Sequence, residues 1–423
     1  MKKILFISYF WPPSGKASLH WPLDIIRYLP KDEIEPIILT VEDESFTQKD
    51  ESLLKKVDPN WIILKSEALE PFNIYRKFIG KKENEKLTSS ETISLDNKSL
   101  THRISLWIRL NLFIPDARVG WNFTAIKTAK NYIKQNHIDA IVSIGPPHSS
   151  HLIGLKLSKK FLIPHIPVLI DPWVDIIYYK NLKRSLLTKL IDNHFEKIVL
   201  KNAKQIVFVT KSTEEDFINK YSFVQNKSNV LYWGFDEEDF NNVIFQKKNS
   251  DEKLIVHAGN LFAYQNPKNF WGQIKTENEN GNKFKIKFIG SVDKQVIDYL
   301  NEIGLKNEIE LTGFIPYPEM IRQILEADLL LVCASEPRHV PGKLFEALRT
   351  GNPIIAFGEN NEEVKKIIKD ANAGMMFGYD ESAGEILNID YKIQPDQYLI
   401  KQYDRAEISK KFYMTIKNLF YQN

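Results

Sequence analysis

Short, continuous apolar runs recur along this 423-residue chain, and each gap between them is long enough to hold a helix. The runs are rich in Ile, Val, Leu and Phe, and they read KILFISYF, EPIILT, AIVSIG, IPVLID, QIVFVT, LIVHAG, FKIKFIG, IELTG, LLLVCAS and PIIAF. A strand that is apolar on both faces belongs in a parallel sheet with helices on both sides. The pattern therefore predicts an α/β fold built from doubly wound, Rossmann-like parallel sheets.

The chain is too long for one ordinary core, so we expect two such sheets. The series of apolar runs is interrupted by a polar stretch, QKKNSDEK, near residue 245. We therefore predict an N-terminal domain over residues 1–240 and a second domain over 246–398. A C-terminal helix over 399–423 is expected to pack back on the first domain. The polar segment at about 80–100 predicts a mobile insertion.

Composition excludes several function classes. The formal net charge is +3, from 57 basic and 54 acidic residues, which is near balance and gives no support for a general nucleic-acid binder, so no nucleic-acid partner is expected. The single cysteine, Cys333, excludes disulfides and cysteine metal sites and fits a cytoplasmic location. The opening MKKILFISYFWPP is short and lacks a small-x-small cleavage site, so it predicts a first strand rather than a signal peptide.

Membrane contact is left open by the sequence. No apolar segment approaches the roughly 20 residues needed to cross a bilayer. Two segments, THRISLWIRLNLFIPDARVGW and YYKNLKRSLLTKLIDNHFEKIVLKNAK, mix aromatic, aliphatic and basic residues as interfacial helices do. Core packing with snorkelling lysines and arginines explains the same pattern.

The stretch VPGKLFEALRTGNPIIAF combines features of a nucleotide site. Pro341 and Gly342 precede a short helix that buries Leu344 on one side and carries Lys343 and Glu346 on the other. A glycine-fronted helix N-terminus with a lysine attracts anions, and a carboxylate one turn later can accept hydrogen bonds from a ribose diol. The alternative is a surface helix with an ordinary Lys-Glu pair.

This stretch, followed by AGMMF, resembles the donor-nucleotide segment of family 4 glycosyltransferases of the GT-B fold. Similar likenesses run along nearly the whole chain, in SYFWPPSGKAS, IVSIGPPHSSHLIG, LIDPWVD, NVLYWGFDEEDF, HAGNLFAYQNP, LTGFIPYPEM and EADLLLVCAS. The resemblance implies two Rossmann-like domains facing a cleft, and sugar transfer from a nucleotide-diphosphate donor to a glycan or lipid-linked glycan. It also implies metal-independent transfer with retention of configuration, no cofactor beyond the donor, and a place in bacterial surface-polysaccharide assembly.

Two departures from the family concern charge. Glu346 matches the second glutamate of the family's Glu-x7-Glu element and is implied as the ribose ligand, whereas Arg338 stands at the first. Asn260 replaces a common arginine, and Gln265 replaces the lysine expected five residues later. Because a departing nucleoside diphosphate builds negative charge, we infer that Arg338 and Lys343 supply the missing cations.

Other residues predicted to contact the donor lie after apolar runs. Gly259 follows LIVHA and is either a tight turn or an amide donor to phosphate, and Gly313 and Phe314 follow IELT. In the first domain, Gly15 and Lys16 suit close approach to phosphate or sugar, although the spacing is not that of a P-loop.

His148 in GPPHSSH is the predicted sugar-facing residue of the first domain, a role that Ser149 or His151 could share. The alternative is an ordinary loop histidine. Roles in catalysis and in structure are equally open for four further residues: Asp116, Trp121, Asp171 and Asp175.

Two rival functions remain alongside the glycosyltransferase. One is a nucleotide-sugar 2-epimerase of the same fold, which needs an acid/base carboxylate set that the sequence does not identify. The other is a non-catalytic nucleotide-sugar binder, which the missing glutamate and the missing Arg-Lys pair would suit.

Overall fold

The computed structural model describes residues 1–68, 100–176, 184–245, 251–334, 336–383, 387 and 393–421. Nearly all of the insertion predicted at about 80–100 lies outside these residues. The chain divides into two compact units, Met1–Leu231 with Ser409–Asn423 and Tyr232–Ile408.

The first unit contains a parallel sheet whose strands are β1 (Lys2–Ile7), β2 (Ile34–Val41), β3 (Ile62–Ser66), β4 (Ala140–Gly145), β5 (His165–Leu169), β6 (Ile206–Phe208) and β7 (Ser228–Val230). Its helices are α1 (His20–Arg27), α2 (Leu100–Leu112), α3 (Trp121–Gln135), α4 (Ser149–Phe161), α5 (Leu186–Asn202) and α6 (Lys211–Lys220). Within the described residues the strand order is β3-β2-β1-β4-β5-β6-β7, and every pairing is parallel.

The second unit repeats this plan with β8 (Glu252–Ala258), β9 (Lys283–Ile289), β10 (Ile309–Gly313), β11 (Leu329–Cys333), β12 (Ile354–Phe357) and β13 (Gly374–Phe377). Its helices are α7 (Glu237–Asn241), α8 (Lys268–Glu279), α9 (Lys294–Glu302), α10 (Tyr317–Glu326), α11 (Lys343–Thr350), α12 (Glu362–Asp370) and α13 (Gln397–Lys401). A last helix, α14 (Arg405–Tyr421), belongs to the first unit from Ser409 onward. No helix in the described part of the chain is long and apolar enough to cross a bilayer.

The two strand orders fix where a ligand can bind. In the second sheet the order is β10-β9-β8-β11-β12-β13, so the chain reverses direction across the sheet between β8 and β11. The same reversal lies between β1 and β4 in the first sheet. Loops diverge at such a switch point and leave a crevice at the carboxyl ends of the strands. The predicted α/β class with two doubly wound sheets is confirmed.

The strands are apolar throughout because both faces of each sheet are covered. In β11, Leu330 and Val332 pack into one apolar core, while Leu329, Leu331 and Cys333 pack into another on the opposite face. Side chains alternate across a strand, so a strand between two cores needs an apolar residue at every position.

The units divide at Leu231 and Ile408, somewhat outside the predicted limits of 240 and 399. The difference has a packing cause. Phe235 and Phe240 are buried in the core of the second unit, and so are Ile400 and Tyr403. A polar run marks where the surface lies, and the core of a unit can begin before it.

The last helix is held to the first unit by polar and aromatic contacts. The Ser409 hydroxyl donates to the Ile25 carbonyl over 2.7 Å, and the Phe412 ring lies 6.1 Å from the Trp21 ring and 6.5 Å from the Phe6 ring.

A tight turn at Gly234 joins two distant parts of the second unit. Gly234 has a φ of +66°, and a Cβ there would lie 2.4 Å from the Tyr403 carbonyl oxygen. The fully buried Arg405 donates from Nε to the Trp233 carbonyl and from Nη2 to the Gly234 carbonyl, each over 3.2 Å. The turn is therefore closed by contacts that leave no room for a side chain.

We expect Gly234→Ala to destabilise the protein by about 2–4 kcal/mol, because left-handed strain adds to a backbone clash. Gly313→Ala is the matched control, since Gly313 has a φ of +67° and nothing within 4 Å of an added Cβ. In the control, the free energy of unfolding in urea should fall only by the cost of the backbone strain, about 1–2 kcal/mol. Equal losses in the two variants would contradict the packing at this turn.

Candidate functional site

Three glycines end three adjacent strands of the second unit. Gly259, Gly290 and Gly313 follow or close β8, β9 and β10, with φ values of +116°, +112° and +67°. The Gly259 amide donates to the Ile289 carbonyl over 2.7 Å, and the Gly290 amide donates to the Gly313 carbonyl over 2.8 Å. The result is a ledge of bare backbone at the carboxyl edge of the sheet, which we call the glycine ledge.

The hydrogen bond from the Gly259 amide to the Ile289 carbonyl agrees with the first of its two predicted roles, a tight turn. Gly290, which sequence reasoning missed, holds the ledge close, because a Cβ there would lie 2.8 Å from the Gly259 oxygen. The signal was present, since LIVHAG, FKIKFIG and IELTG all end in glycine.

Lys343 lies across the glycine ledge. The Lys343 Nζ lies within 2.7 Å of where a Cβ on Gly259 would stand, so the ammonium contacts bare backbone, and the φ of +116° at Gly259 favours glycine there. The Nζ also lies 3.4 Å from the Nε2 of His257 at the end of β8. Burial lowers the pKa of Lys343, and the nearby Cys333 and Glu346 oppose that shift. A partly desolvated ammonium is thus held over open backbone.

His257, which sequence reasoning also missed, orients that ammonium. Burial, together with the charge of Lys343, lowers the pKa of His257 to about 3, so the ring is neutral. Its Nδ1 lies 3.0 Å from the Leu331 carbonyl, which can only accept, so Nδ1 carries the proton. The Nε2 lone pair is then left to accept from Lys343.

The helix that carries Lys343 is fixed on its buried side. Leu344 and Phe345 are fully buried in the core of the second unit, and Pro341 is buried beside them. A Cβ on Gly342 would lie 2.7 Å from the Trp233 Nε1, so the indole packs directly on the start of the helix. At the start of α11, the Leu344 and Phe345 amides donate to the Pro341 and Gly342 carbonyls, each over 3.0 Å.

Glu346 lies one turn further along α11. Its Oε1 accepts a 2.8 Å hydrogen bond from the Tyr317 hydroxyl. Burial, with the negative charge of Glu346 next, raises the pKa of Tyr317 well above its ordinary value, so the phenol stays a donor. No described residue donates to the second oxygen, Oε2, which is left for a ligand.

The loop before α11 places Arg338 on the surface. Arg338 is exposed, and the loop around it is held by Asn361, whose Nδ2 donates to the Glu336 and His339 carbonyls over 2.7 and 2.8 Å. The side chain therefore projects from an anchored loop between β11 and α11.

Asn260 and Gln265 take different positions after β8. Asn260 is exposed, whereas Gln265 is 2% exposed and its Oε1 accepts from the Phe262 amide over 3.2 Å. Gln265 therefore stabilises its own turn, and no cation replaces the family's lysine there. Across the ledge, Phe314 is 87% exposed directly after Gly313.

The first unit brings His148 and its neighbours to the carboxyl end of β4. His148 is 7% exposed, and its ring stacks on Trp173 at 5.1 Å and 8°. Apart from a weak contact with the Pro172 carbonyl, neither ring nitrogen has a hydrogen-bond partner among the described residues. Burial lowers the pKa of His148 to about 3, so the ring is neutral.

A hydrogen-bonded chain that sequence reasoning missed lies beside His148. The Ser143 hydroxyl joins the Nδ1 of His151 over 2.8 Å to the Nε2 of His165 over 2.7 Å. Burial lowers the pKa of His151 and of His165, the latter to about 3. His165 begins β5 and lies far from the motif in sequence, so no local pattern points to it.

Asp116 and Ser149 anchor the start of α4. The Asp116 carboxylate accepts from the Ser149 amide over 2.8 Å and from the Ser149 hydroxyl over 3.0 Å. Burial raises the pKa of Asp116, against these hydrogen bonds. Both residues thus hold the helix that follows His148. Trp121 is buried, with its Nε1 donating to the Ser66 hydroxyl over 2.9 Å.

The remaining candidate residues of the first unit do not come together in one site. The Gly15 amide donates to the Gln48 carbonyl over 2.9 Å, so this amide is bonded within the first unit. Lys16 beside it is half-buried. Asp175 forms an exposed 2.8 Å ion pair with Lys220. Asp171 is half-buried after β5.

Residues 239–387 match the family described as "Glycosyl transferases group 1". The second unit carries a group 1 glycosyltransferase domain. This match and the fold confirm the resemblance predicted from the sequence and the enzyme class, a nucleotide-sugar glycosyltransferase. No curated protein matches the chain in sequence.

Solved structures with the same two-sheet fold superpose over nearly the full length of the chain. Sucrose-phosphate synthase from Thermosynechococcus elongatus superposes with a TM-score of 0.66 at 11% identity over 100% of both chains. A glycosyltransferase from Rickettsia africae gives 0.63 at 14% identity over 100% of this chain and 99% of that one. HepE of Anabaena, solved with UDP and glucose, gives 0.62 at 15% identity over 99% and 100%. The GT-B fold is thereby shown.

The neutral histidines make the stability of this glycosyltransferase depend on pH. The unfolded chain takes up protons below about pH 6.5. The buried rings of His148 and His165 do so only near pH 3. Unfolding free energy should therefore fall as pH drops from 6.5 toward 3, and one such histidine accounts for roughly 2 kcal/mol between pH 7 and 5.

We expect His148→Asn to flatten this dependence by up to that amount in urea unfolding at pH 7, 6 and 5. His194→Asn is the control, since His194 is exposed on α5 of the same unit. Carboxylates contribute equally to both variants, so the difference isolates His148. Parallel curves for the two variants would show that His148 is not held neutral.

Proposed function

We propose that the protein transfers a sugar from a nucleotide-diphosphate donor, a UDP sugar, to a glycan or lipid-linked glycan. The observation that carries this proposal is the placement of Lys343 over the glycine ledge, with Glu346 one turn along the same helix. Diphosphate and ribose are joined in every such donor, and these two side chains offer a cation and a carboxylate at neighbouring positions. The complex of HepE with UDP and glucose supports the choice of UDP.

The diphosphate is proposed to lie on the glycine ledge, beneath Lys343 and the N-terminus of α11. Bare backbone allows phosphate oxygens to approach closely, and the helix N-terminus adds partial positive charge. Charge develops on the leaving phosphate as the sugar departs, and a preorganised ammonium stabilises it without a metal. Arg338 is the second proposed cation, and it would join the site from its exposed loop.

The nucleoside is proposed to bind at Glu346 and Phe314. Tyr317 holds Oε1 of Glu346, so Oε2 can accept a hydrogen bond from a ribose hydroxyl. Phe314 exposes an aromatic ring at the end of the ledge, where a planar base could stack.

His148 is proposed to contact a sugar hydroxyl. A neutral ring with unsatisfied nitrogens can donate to one sugar hydroxyl or accept from another, and stacking on Trp173 fixes its plane. Retention of anomeric configuration, through an oxocarbenium-like transition state, completes the proposed reaction.

Binding of UDP sugars tests the donor site. We expect Lys343→Met, which keeps the stem and removes the charge, to weaken UDP-glucose binding by about tenfold to a hundredfold. Glu346→Gln should weaken it by about tenfold, because a charge-assisted hydrogen bond to ribose becomes neutral. Titration calorimetry in EDTA against a panel of nucleotide sugars measures both effects and tests metal independence.

The matched controls are Lys365→Met and Glu362→Gln, two exposed positions on the neighbouring helix α12. Unchanged affinity in both site variants for every donor of the panel would refute the donor site. Tight donor binding with no transfer to any acceptor would favour a non-catalytic binder.

We further propose that the enzyme works in the cytoplasm of a bacterium and contacts the membrane peripherally. Large apolar side chains of the first unit are exposed on α2 and at the start of α5: Trp107, Leu112, Leu186, Leu187 and Leu190, at 52% to 80% exposure. Asn111 joins these helices, accepting from the Ser185 amide over 2.6 Å and from the Thr188 hydroxyl over 3.0 Å. Core packing does not account for side chains this exposed.

We expect Leu186→Ser/Leu187→Ser/Leu190→Ser to reduce binding to phospholipid vesicles at least about fivefold, because three exposed leucines that would insert into the bilayer surface are removed. Co-sedimentation with vesicles measures this, and Leu162→Ser, at a site 90% exposed on α4's end, serves as control. Equal binding by the triple variant and the unmodified protein would remove the patch as a membrane anchor.

A further inference from the structure

A groove of about 440 Å³ runs between α3 and α4 of the first unit, and its lining residues have no role in the sites considered so far. Five lysines line it, three from α3 and two from α4: Lys127, Lys130, Lys134, Lys156 and Lys160. Their spacings of three or four residues place each set on one face of its helix. We call this feature the lysine groove.

The lysine groove carries uncompensated positive charge. Among the described residues, none of its five lysines forms an ion pair with a carboxylate, although exposed lysines elsewhere in this unit do, as Lys31 does with Asp58 at 2.8 Å. Four of the five are exposed, and Lys130 is half-buried at the centre.

The pKa of Lys130 shows that the lysines of the groove interact electrostatically. Burial lowers its pKa first, and the charges of Lys160, Lys156 and Lys134 lower it further. Like charges that converge from two helices raise the energy of the empty groove, and an anion placed among them relieves that repulsion. The arrangement thus favours a ligand with more than one negative charge.

The groove also leads toward the candidate site of the first unit. Its lining includes Val119 and Leu152, which lie near the starts of α3 and α4. The same helix starts are joined by the hydrogen bonds between Asp116 and Ser149, next to His148. One end of the groove is thus apolar and close to the site, with Phe123 exposed at 73% on its rim, and the rest is basic.

We propose that the lysine groove binds a diphosphate group, or two adjacent phosphates, of an anionic ligand. The three lysines of α3 span about 10 Å along the helix, at 1.5 Å per residue, which exceeds a single phosphate and matches a diphosphate with its flanking groups. The apolar end and Phe123 would contact an uncharged portion of the same molecule. This site is separate from the donor site, and it does not depend on Lys343 or Glu346.

The probe is inorganic pyrophosphate, titrated into the full chain at low salt. Lys130→Gln/Lys156→Gln/Lys160→Gln removes three charges from the groove, and we expect binding to weaken by about tenfold or more, with a shallower dependence on salt. The matched control, Lys159→Gln/Lys197→Gln/Lys201→Gln, removes three exposed charges from the outer surfaces of α4 and α5 and should change affinity less than about twofold.

Both variants are also made in the Lys343→Met background, so that pyrophosphate held by the donor site is not counted. Pyrophosphate binding that persists in Lys343→Met and is lost on adding the groove substitutions supports the proposal. Binding abolished by Lys343→Met alone places all of it in the donor site and overturns the groove, while leaving the proposed function intact. Equal weakening by the groove and control triples would also overturn it, since the effect would be general charge.

Vesicles separate the two sources of phosphate. Co-sedimentation with phosphatidylglycerol vesicles, compared with phosphatidylcholine vesicles, reports a lipid headgroup when the groove triple loses the preference for anionic lipid. Pyrophosphate binding without such a preference assigns the groove to a soluble phosphorylated ligand. Both results support a phosphate site, and failure to bind either probe refutes it.

Discussion

The candidate site of the second unit depends on the placement of one ammonium group over bare backbone. Lys343 comes from the helix after β11, and Gly259 from the end of β8, two strands that are neighbours only because the chain reverses direction between them. Had the strands been added in sequence order, these residues would lie several strands apart. The strand order therefore brings the two residues together, and the ammonium contacts the bare backbone of Gly259. His257 then takes the neutral form that can accept from the ammonium.

The main constraint in the first unit is the burial of three histidines. The unit buries His148, His151 and His165 near the end of β4, where desolvation keeps all three rings neutral. Ser143 satisfies one nitrogen of each of the last two, while His148 keeps nitrogens without a full partner. A buried polar atom without a partner costs free energy, which is why His148 is the residue of this cluster to which the proposed function assigns a sugar contact.

Much of this arrangement could be predicted from the sequence, because two-faced strands and terminal glycines are local signals. The apolar runs predicted both sheets, and VPGKLFEAL predicted the helix with Lys343 and Glu346. His257, Gly290 and the pair Ser143 and His165 were missed, since their roles depend on which strands become neighbours. The boundary near 245 differed for a related reason: Phe235 and Phe240 join the second core ahead of the polar run.

The glycine ledge has a further consequence for how such an enzyme can diversify. Main-chain atoms are the same whatever the residue, so a substitution in a surface of exposed backbone cannot change the chemistry of that backbone. It can only add a side chain that blocks the surface. In the proposed function, selectivity for a new sugar or base then arises at side chains around the ledge, such as Phe314, while the contacts to the common portion of the donor stay unchanged. The backbone of the glycine ledge thus stays constant, while the side chains around it are free to vary.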